Sequence, residues 1–329
     1  MKILVTGASG YIGCKLALRL AGQGQQVHAL VHSATAHAAL QHPNIRVFNG
    51  DVLRPDGLRT AMDGCAQVYH TAAKTGAWAP NPAVFYEVNV AGTRQVLATA
   101  RRCGVARMVL TSTCGAIGPA LRAPLTETDA RTTGYEIDYD RSKKQGEELA
   151  LQCARDGMDL VVVSPAKVYG PGSSSHALTA NAIIQAFLAK GVAFIPFPGT
   201  FEVCFAYIDD VVTGHLQAMA RGTSGEKYIL GGINVSYRDF FGRLRLLAGR
   251  KGHIFSLPKP LLTALARAQE LNHRLTGAPV RFTPKSVGYL FRNYIFSSDK
   301  AVRELGYRIT PLDEALTETI HFLRTHAHG

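Results

Sequence analysis

The sequence lacks the features that indicate a membrane-spanning, disulfide-rich or zinc-binding protein. No apolar run approaches the roughly 20 residues that a spanning helix needs, and the six cysteines form no Cys-x-x-Cys pair. Scattered cysteines of this kind are typical of a reducing compartment. The first residues, Met1 to Gly7, run directly into a strand pattern and a glycine turn, so no signal peptide is expected. These absences predict a cytoplasmic protein without a metal and without a membrane span.

Acidic residues are scarce compared with basic ones. The chain has 24 Asp and Glu against 36 Lys and Arg, a net charge of +12. Between Arg238 and Arg308 there are 14 basic and 4 acidic residues, so +10 of that charge lies in the C-terminal part. The cations are dispersed among Leu, Ala and Phe without a nucleic-acid-binding motif. They predict a basic surface near an anionic cofactor or substrate, with no nucleic-acid partner.

The composition that remains is that of an ordinary globular protein. Of 329 residues, 47% are hydrophobic and 18% are charged, which is enough for a large core. Strand-like and helix-like segments alternate up to about residue 170 without an internal repeat or a low-complexity linker. This alternation predicts an α/β protein with a parallel sheet.

The N-terminus carries a glycine-rich turn between a strand and a helix. Ile3 to Val5 form an apolar run, Thr6 to Gly13 contain the spacing G-x-x-G-x-x-G, and Lys15 to Ala21 follow a helical pattern. In such a turn, backbone N–H groups and a helix N-terminus face a pyrophosphate. The first glycine permits the tight turn, the second lets phosphates approach the main chain, and the third allows close helix–strand packing. The candidate cofactor-binding residues here are Gly7, Gly10, Tyr11, Ile12 and Gly13.

The residues that close the second predicted strand, Gln26–Val31, bear on the choice of cofactor. A carboxylate there would accept the ribose hydroxyls of NAD and repel the 2′-phosphate of NADP. The sequence instead continues with His32 and Ser33 and has no acid through Thr35. Histidine and hydroxyl groups can donate to a phosphate, which favours NADP(H); a polar loop that accepts either cofactor is the alternative, so NAD(H) stays possible.

Two further strand ends carry candidate site residues. After a predicted strand at 45–48, Asp51 and Val52 would lie over the ligand crevice, where Asp51 could accept from the adenine amino group or could cap the next helix. A fourth strand is predicted over 68–73 and ends in small residues that let the backbone pass close to a cofactor. These residues are Thr71, Ala72 and Ala73, and the loop that follows contains Lys74 and Trp78 as a substrate wall or as ordinary packing.

The predicted catalytic residues lie on a fifth strand and on the helix that follows it. The strand, 107–113, ends in the hydroxyl residues Thr111, Ser112 and Thr113, which can hydrogen-bond a carbonyl oxygen. Tyr139 and Lys143 are four residues apart and project from one face of a helix. An ammonium near a phenol lowers the pKa of the phenol and makes it a usable proton donor or acceptor.

Beyond the sixth strand, predicted over 160–163, the pattern loosens. A rigid Pro/Gly turn is expected over 164–172, a helix over 177–190, an irregular apolar stretch over 194–198, and a helix that starts at 205. A final strand is expected over 226–230, followed by mostly helical chain. That remainder includes 261–275, either an amphipathic lid or a core-packed helix, of which the core-packed helix is favoured.

These motifs, in this order, closely resemble the extended short-chain dehydrogenase/reductase (SDR) family, and the likeness runs from Met1 to about Arg308. It implies a Rossmann-type doubly wound parallel sheet with a smaller, mostly helical C-terminal substrate-binding lobe. The expected division is 1–170, completed by 207–232, for the dinucleotide and 171–206 with 233–329 for the substrate. The segments 27–32 and 70–74 are similar to the dihydroflavonol-4-reductase-like branch, although that branch often has arginine at the place of His32. The stretches 78–82 and 228–232 are also similar to bacterial hopanoid-associated sugar epimerases.

The resemblance also implies roles for single residues. Tyr139 would be the proton donor or acceptor, and Lys143 would lower its pKa and bind the nicotinamide ribose. Thr113 would hold the substrate oxygen where many relatives have serine, with Ser112 as the other candidate. Pro165 and Val168 would lie by the nicotinamide, and helices beginning near Phe85 and Tyr139 would form a homodimer.

The expected activity is NADP(H)-dependent interconversion of a ketone or aldehyde with an alcohol on a small, largely apolar substrate. The alternative is a redox-neutral nucleotide-sugar epimerase or dehydratase with tightly bound NAD(P). The sugar-nucleotide branch usually has an asparagine-containing turn after the sixth strand, whereas this chain has Ser164-Pro165-Ala166-Lys167. A cofactor-sensing regulator without activity is a third hypothesis, which the intact Tyr139/Lys143 pair disfavours. The candidate substrate residues are Lys74, Trp78, Tyr169 and Phe201.

Overall fold

The computed structural model describes residues 1–32, 38–172, 180–280 and 282–326. Its centre is a seven-stranded parallel sheet in the order β3-β2-β1-β4-β5-β6-β10. The strands are β1 Lys2–Thr6, β2 Gln26–Val31, β3 Ile45–Asn49, β4 Gln67–His70, β5 Arg107–Thr111, β6 Leu160–Pro165 and β10 Lys227–Leu230. The chain order reverses between β1 and β4, and the crevice at that point is where ligands bind in open sheets of this kind.

Helices cover both faces of this sheet. Neighbouring residues of a strand point to opposite faces, so one strand contributes side chains to the core on each side. Val5 lies in the core under α1 and α7, whereas Leu4 lies in the core under α2, α4 and α5. The helices of this part are α1 Tyr11–Gly22, α2 Pro55–Met62, α3 Ala83–Tyr86, α4 Thr93–Arg102, α5 Asp138–Arg155 and α7 Ile208–Arg221. A π-helical segment, Glu87–Gly92, joins α3 to α4. The fold class predicted from the sequence, a doubly wound Rossmann-type sheet, is confirmed.

The remaining elements form two small sheets and a group of helices. Strands β7 Lys167–Tyr169, β9 Glu202–Tyr207 and β11 Ile233–Ser236 form one sheet; β8 Val192–Pro196 and β12 His253–Leu257 form the other. The helices are α6 Ala180–Lys190, α8 Tyr237–Leu247, α9 Lys259–Thr276, α10 Pro284–Leu290, α11 Asp299–Leu305 and α12 Leu312–Thr325. Among the described residues, no helix is both long enough and apolar enough to cross a membrane.

Several boundaries predicted for the second half of the chain are wrong. The stretch 194–198 was expected to be irregular, but it overlaps β8, whose partner β12 begins 57 residues after β8 ends. The helix expected from 205 begins only at Ile208, because 202–207 pair with β7 and β11 as the central strand β9. Strand β7 lies inside the segment expected to be a turn. Strands β7, β8 and β9 each form by pairing with segments far away in sequence, and the local sequence pattern reveals little of such pairing.

The strand predicted over 226–230 is β10, but it is not the final one, since β11 and β12 follow. Two strands end earlier than predicted: β4 ends at His70, and β5 ends at Thr111. Thr71 follows the observed end of β4, and Ser112 and Thr113 follow the observed end of β5. The helix predicted over 177–190 is described from Ala180, and the part of that prediction over 177–179 lies outside the described residues.

Candidate active site

The glycine loop has the geometry that a dinucleotide phosphate requires. Gly7 has a φ of 68°, and a Cβ there would lie 2.6 Å from the backbone of Ala72. A Cβ on Gly13 would lie 2.3 Å from the carbonyl oxygen of Gly7, so the predicted close packing at Gly13 is confirmed. Gly10 is the N-cap of α1, and within this fully described helix no side chain caps the first amides and no acid lies in the first turn. These free N–H groups at a positive helix end suit a pyrophosphate.

Tyr11 and Ile12 follow the glycine turn in the first turn of α1. The Tyr11 hydroxyl donates to the carbonyl oxygen of Gly170 at 2.7 Å and accepts from Asn181 at 3.1 Å. The glycine loop is therefore tied to the end of β7 and to α6. Asn181 also bonds both the N–H and the carbonyl of Gly170, a bracing role that the sequence did not indicate.

The residues predicted for the adenosine end lie together. The His32 ring lies 3.7 Å from the Asp51 carboxylate, and its side chain is 82% exposed. Asp51 Oδ1 accepts from the N–H of Leu53, so it holds the turn before α2 and is not the N-cap of that helix. Val52 is buried beneath this turn. Ser33, the other predicted residue here, lies outside the described residues.

The small residues after β4 pass directly over the glycine loop. Thr71 donates to the carbonyl oxygen of Thr6 at 2.7 Å, and its N–H bonds the same oxygen. Ala72 lies against Gly7, as described above, and Ala73 follows it at the same edge. The structure thus brings the loop of β1 and the end of β4 into one crevice.

Thr113 and Tyr139 meet at the carboxyl edge of β5. Burial and the nearby Asp140 carboxylate raise the pKa of Tyr139 above its ordinary value, and a hydrogen bond with the Thr113 side chain acts in the opposite direction. The expectation that the phenol pKa is lowered is therefore wrong for this structure. At neutral pH the Tyr139 phenol is therefore protonated. Thr113 Oγ1 also accepts from the N–H of Gly115 at 3.1 Å.

Lys143 lies one helical turn beyond Tyr139 and is buried. Its ammonium donates to the carbonyl oxygen of Thr111 at 2.7 Å. Burial lowers the pKa of Lys143 to about 8, while Glu147 acts in the opposite direction. The Thr111 hydroxyl bonds His215 Nε2 at 2.9 Å, and His215 Nδ1 donates to the carbonyl oxygen of Val211. Side chains of α5 and of α7, which cover opposite faces of the sheet, thus hold the end of β5.

Ser112, the alternative to Thr113, does not share this environment. It is 4% exposed, and its hydroxyl donates to Glu147 Oε2 at 2.8 Å. The buried Glu147 also pairs with Lys144 at 3.1 Å and with Lys227 at 2.9 Å. Burial alone would raise the pKa of Glu147, but the two ammonium groups bring it below the ordinary value. The geometry selects Thr113 as the hydroxyl beside Tyr139 and gives Ser112 a structural role.

Asn89 links the catalytic helix to the loop after β4, a role that the sequence did not reveal. Its amide oxygen accepts from the N–H of Lys74 at 2.8 Å, and its amide nitrogen donates to the Lys74 carbonyl at 3.0 Å and to Ser142 Oγ at 2.9 Å. Ser142 in turn donates to the carbonyl oxygen of Tyr139. Asn89 lies in the π-helical segment Glu87–Gly92.

His70 completes this buried polar layer. Burial and the charge of Lys143 lower its pKa to about 3, so the ring is neutral. Thr93 donates to the carbonyl of Asn89 and so accepts from His70 Nε2 at 3.1 Å. His70 Nδ1 then accepts from the Thr6 hydroxyl at 2.7 Å. These bonds fix the tautomer and join β1, β4 and α4 beneath the crevice.

Asp140, next to Tyr139, is a buried carboxyl that was not among the residues predicted from the sequence. It is 2% exposed, and among the described residues its Oδ2 has no hydrogen-bond partner. Burial raises its pKa to about 7, with Arg131 lowering it and Glu136 raising it. A Cβ on Gly115 would lie 2.1 Å from Asp140 Oδ1, so this glycine makes room for the carboxyl.

The residues predicted to contact substrate occupy different environments. Trp78 lies edge-on to His273 of α9, with ring centroids 5.0 Å apart, and Phe201 lies edge-on to Phe291 at 5.6 Å. Tyr169 is 2% exposed within an aromatic cluster of Phe205, Tyr207 and Phe240, so its ring belongs to the core.

The segment after β6, which was predicted to be a turn, contains strand β7, and β7 pairs with β9. Pro165 ends β6, and Val168 is central in β7, opposite Ala206. Between them, the Lys167 ammonium lies 5.9 Å from the ring centroids of Phe205 and Tyr237. Burial lowers the pKa of Lys167 to about 8. Within the described part of the chain, this ammonium has no ion pair.

A parallel sheet with a glycine loop at its reversal point, and with tyrosine, lysine and threonine at its carboxyl edge, defines a dinucleotide-dependent enzyme of the extended SDR type. Over residues 3–231 the chain matches the NAD dependent epimerase/dehydratase family, and it belongs to that family. It is 30% identical to a putative dihydroflavonol 4-reductase of Synechocystis sp., over 98% of this chain and 95% of the relative. It is 32% identical to 4-hydroxy-2-methyl-3-oxo-4-farnesyl-3,4-dihydroquinoline-1-oxide ketoreductase of Stigmatella aurantiaca, over 93% and 92% of the two chains. The crystal structure of gox2253 superposes with a TM-score of 0.81 at 29% identity, over 98% of each chain.

Proposed function

We propose that the protein is an NADP(H)-dependent oxidoreductase that reduces a ketone or aldehyde on a small, largely apolar substrate, or oxidises the corresponding alcohol. The observation that carries this proposal is the placement of Thr113, Tyr139 and Lys143 at one edge of the sheet, beside the glycine loop. The similarity to a ketoreductase and to a putative dihydroflavonol 4-reductase supports the same reaction class.

In the proposed reaction, Tyr139 donates its phenol proton to the carbonyl oxygen, and the Thr113 hydroxyl donates a hydrogen bond to the same oxygen. When bound, the reduced nicotinamide supplies the hydride for the carbonyl carbon. Lys143, one turn further along α5, holds the nicotinamide ribose and so positions the nicotinamide beside Tyr139. Asn89 and Ser142 keep the start of α5 in register with the loop that carries Lys74. Positioning and charge account for most of the catalysis.

The substrate would lie between the sheet edge and the C-terminal lobe, 171–206 and 233–329. Trp78, with its ring against His273, and Phe201, with its ring against Phe291, would supply apolar walls. These two aromatic walls support an apolar substrate. We further propose a cytoplasmic homodimer that forms through the helices beginning near Phe85 and Tyr139.

The cofactor preference is proposed from the end of β2. His32 is exposed there, and no acid follows it through Thr35. A 2′-phosphate would meet the His32 ring at this place, and the Asp51 carboxylate, 3.7 Å from that ring, belongs to the turn before α2 and does not close β2. His32→Asp should therefore lower the ratio of kcat/KM with NADPH to that with NADH by about tenfold or more, in line with an ion-pair-sized change in binding. An unchanged ratio would show that this loop does not select the cofactor.

One observation favours the redox-neutral alternative, an epimerase or dehydratase of a nucleotide sugar. Among the described residues the Lys167 ammonium lies near two aromatic rings and has no ion pair, so it could bind an anionic group of a substrate. Lys167 lies, however, in the segment after β6 where the sugar-nucleotide branch usually has an asparagine. This chain has no asparagine there, and for that reason we prefer the reduction of a carbonyl.

The two functions are separated by absorbance at the reduced-nicotinamide band. Purified protein is mixed with NADPH or NADH and with a panel of aryl and aliphatic ketones and aldehydes. Stoichiometric loss of NADPH with the formation of alcohol is expected for at least one of them. No consumption across the panel, together with nicotinamide that co-purifies with the protein, would overturn the reductase proposal in favour of the redox-neutral one.

A further inference from the structure

Helix α9 exposes the side that carries its leucines. At 3.6 residues per turn, Leu261, Leu265, Leu271 and Leu275 fall within an arc of about 120°. They are 45%, 45%, 58% and 76% exposed. Of the residues of α9, all of which are described, Ala266 alone is buried. An amphipathic helix of a globular protein normally turns such a stripe towards the core, and the core packing predicted for this helix is wrong.

A second apolar surface directly precedes this helix in the chain. Phe194 of β8 and Phe255 of β12 are paired in register, and their rings stack with centroids 5.9 Å apart. They are 62% and 48% exposed, on the outer face of the two-stranded sheet. Only Pro258 separates β12 from α9. We call the exposed residues Phe194, Phe255, Leu261, Leu265, Leu271 and Leu275 the leucine–phenylalanine surface.

Cations flank the leucine stripe. Arg267 and Arg274 are exposed and lie about 40° to 60° beyond its edge, by the same helical geometry. Neither has an ion pair in the part of the chain that the structure describes. They belong to the segment between Arg238 and Arg308, which has 14 basic and 4 acidic residues. Leucines on one face with arginines at its border are the pattern of a helix that lies in the interface of an anionic membrane.

We propose that the leucine–phenylalanine surface docks the protein on an anionic lipid bilayer, with α9 lying in the plane of the interface. Lipid phosphates would pair with the free arginines while the leucines enter the acyl boundary. A second copy of the chain fits this surface less well, because a two-fold contact would bring the same arginines against each other. The docking is peripheral and does not depend on the reaction.

The inner side of α9 faces the candidate site. His273 lies against Trp78, in the loop that follows β4 and that Asn89 ties to the catalytic helix. Docking would therefore place the bilayer next to one wall of the proposed substrate pocket. An apolar substrate could then pass between the membrane and the site; this last consequence rests on the proposed function.

The test is sedimentation of the full-length protein with vesicles of phosphatidylcholine alone and of phosphatidylcholine with phosphatidylglycerol. The main variant is Leu271→Gln/Leu275→Gln, and its matched control is Leu121→Gln/Val302→Gln, which changes two apolar positions, 73% and 46% exposed, away from α9. A third variant, Arg267→Glu/Arg274→Glu, tests the charge. All of these sites are solvent-exposed, so circular dichroism should show unchanged folding.

The wild type should bind the anionic vesicles in preference to the neutral ones, and added salt should weaken the binding. The leucine variant should lower the partition coefficient by about tenfold or more, as expected when two leucine side chains no longer enter the lipid. The charge variant should lose the preference for phosphatidylglycerol by about tenfold, and the control should behave as the wild type.

Wild-type protein that stays in the supernatant with both vesicle types would overturn the proposal. Equal binding of the leucine variant and the wild type would do the same. Light scattering that shows a wild-type dimer, which Leu271→Gln/Leu275→Gln splits, without vesicle binding would assign this surface to a contact between two copies and would also overturn it.

Discussion

Helices α5 and α9 are both 18 residues long, but they bury different kinds of side chain. The buried side of α5 is largely polar and carries Asp140, Ser142, Lys143 and Glu147, whereas α9 buries one alanine and exposes leucines. Buried polar groups normally need partners. For Ser142, Lys143 and Glu147 the partners come from the π-helical segment, from the end of β5 and from β10, whereas Asp140 Oδ2 has none among the described residues. Neither helix is therefore held on the core by an apolar stripe. Helix α5 buries polar groups of the candidate site, and α9 leaves its apolar stripe exposed and available to a partner.

Removal of the buried ammonium of α5 should have the largest effect. Lys143→Ala should lower kcat/KM by about 10³-fold or more, because it removes both the proposed contact to the nicotinamide ribose and the ammonium that holds the Thr111 carbonyl at the end of β5. Steady-state kinetics and NADPH binding by fluorescence measure the two parts separately. Lys144→Ala, one residue further and on the half-exposed side, is the matched control and should change neither by more than a few-fold. A Lys143→Ala protein with normal cofactor affinity would contradict the ribose contact.

The second prediction concerns the stability of α5. Glu147→Gln should lower the free energy of unfolding by about 3 kcal/mol, because it leaves Lys227 and Lys144 without their buried anion. Urea unfolding gives the value. The neighbouring Glu148, 60% exposed, is the control, and Glu148→Gln should cost less than about 0.5 kcal/mol. Equal losses in the two variants would show that α5 is not held through its polar face.

The buried Asp140 carboxyl of α5 should make the stability of the protein depend on pH. Its pKa is raised from 3.8 to about 7 in the folded state, so between these values the folded protein holds a proton that the unfolded chain has released. Stability from this group is therefore lost as the pH rises through that window, by up to about 4 kcal/mol. Asp140→Asn removes the titration, so the variant should gain stability relative to the wild type as the pH rises from about 4 to about 7. A difference in unfolding free energy that does not change with pH would contradict the buried carboxyl.

The smallest expected effect belongs to α9. Leu271→Gln/Leu275→Gln should change the free energy of unfolding by less than about 0.5 kcal/mol, because neither side chain is packed in the fold. Thermal and urea unfolding of the variant and the wild type, without lipid, measure this. A loss of more than about 2 kcal/mol would show that the stripe is covered in solution and would remove the contrast with α5.

The sequence predicted the first half of the molecule well, because its signals are local. The glycine spacing, the strand Gln26–Val31 and the helix that carries Tyr139 and Lys143 each follow from neighbours within a few residues. Strands β8, β9, β11 and β12 were missed or misplaced, because each exists through a partner far away in sequence. The buried Asp140 and the outward leucines of α9 also depend on what packs nearby. Periodicity shows that a stripe exists but not which way it faces.

The measurement that tests the proposed mechanism most directly compares the wild type with Tyr139→Phe in two assays, NADPH binding by fluorescence and NADPH consumption with a ketone that the wild type reduces. Loss of one hydroxyl should leave the dissociation constant of NADPH within a few-fold and lower kcat by about 10³-fold. Retained turnover would show that another group donates the proton. Loss of NADPH binding together with turnover would show that Tyr139 holds the cofactor and is not the proton donor.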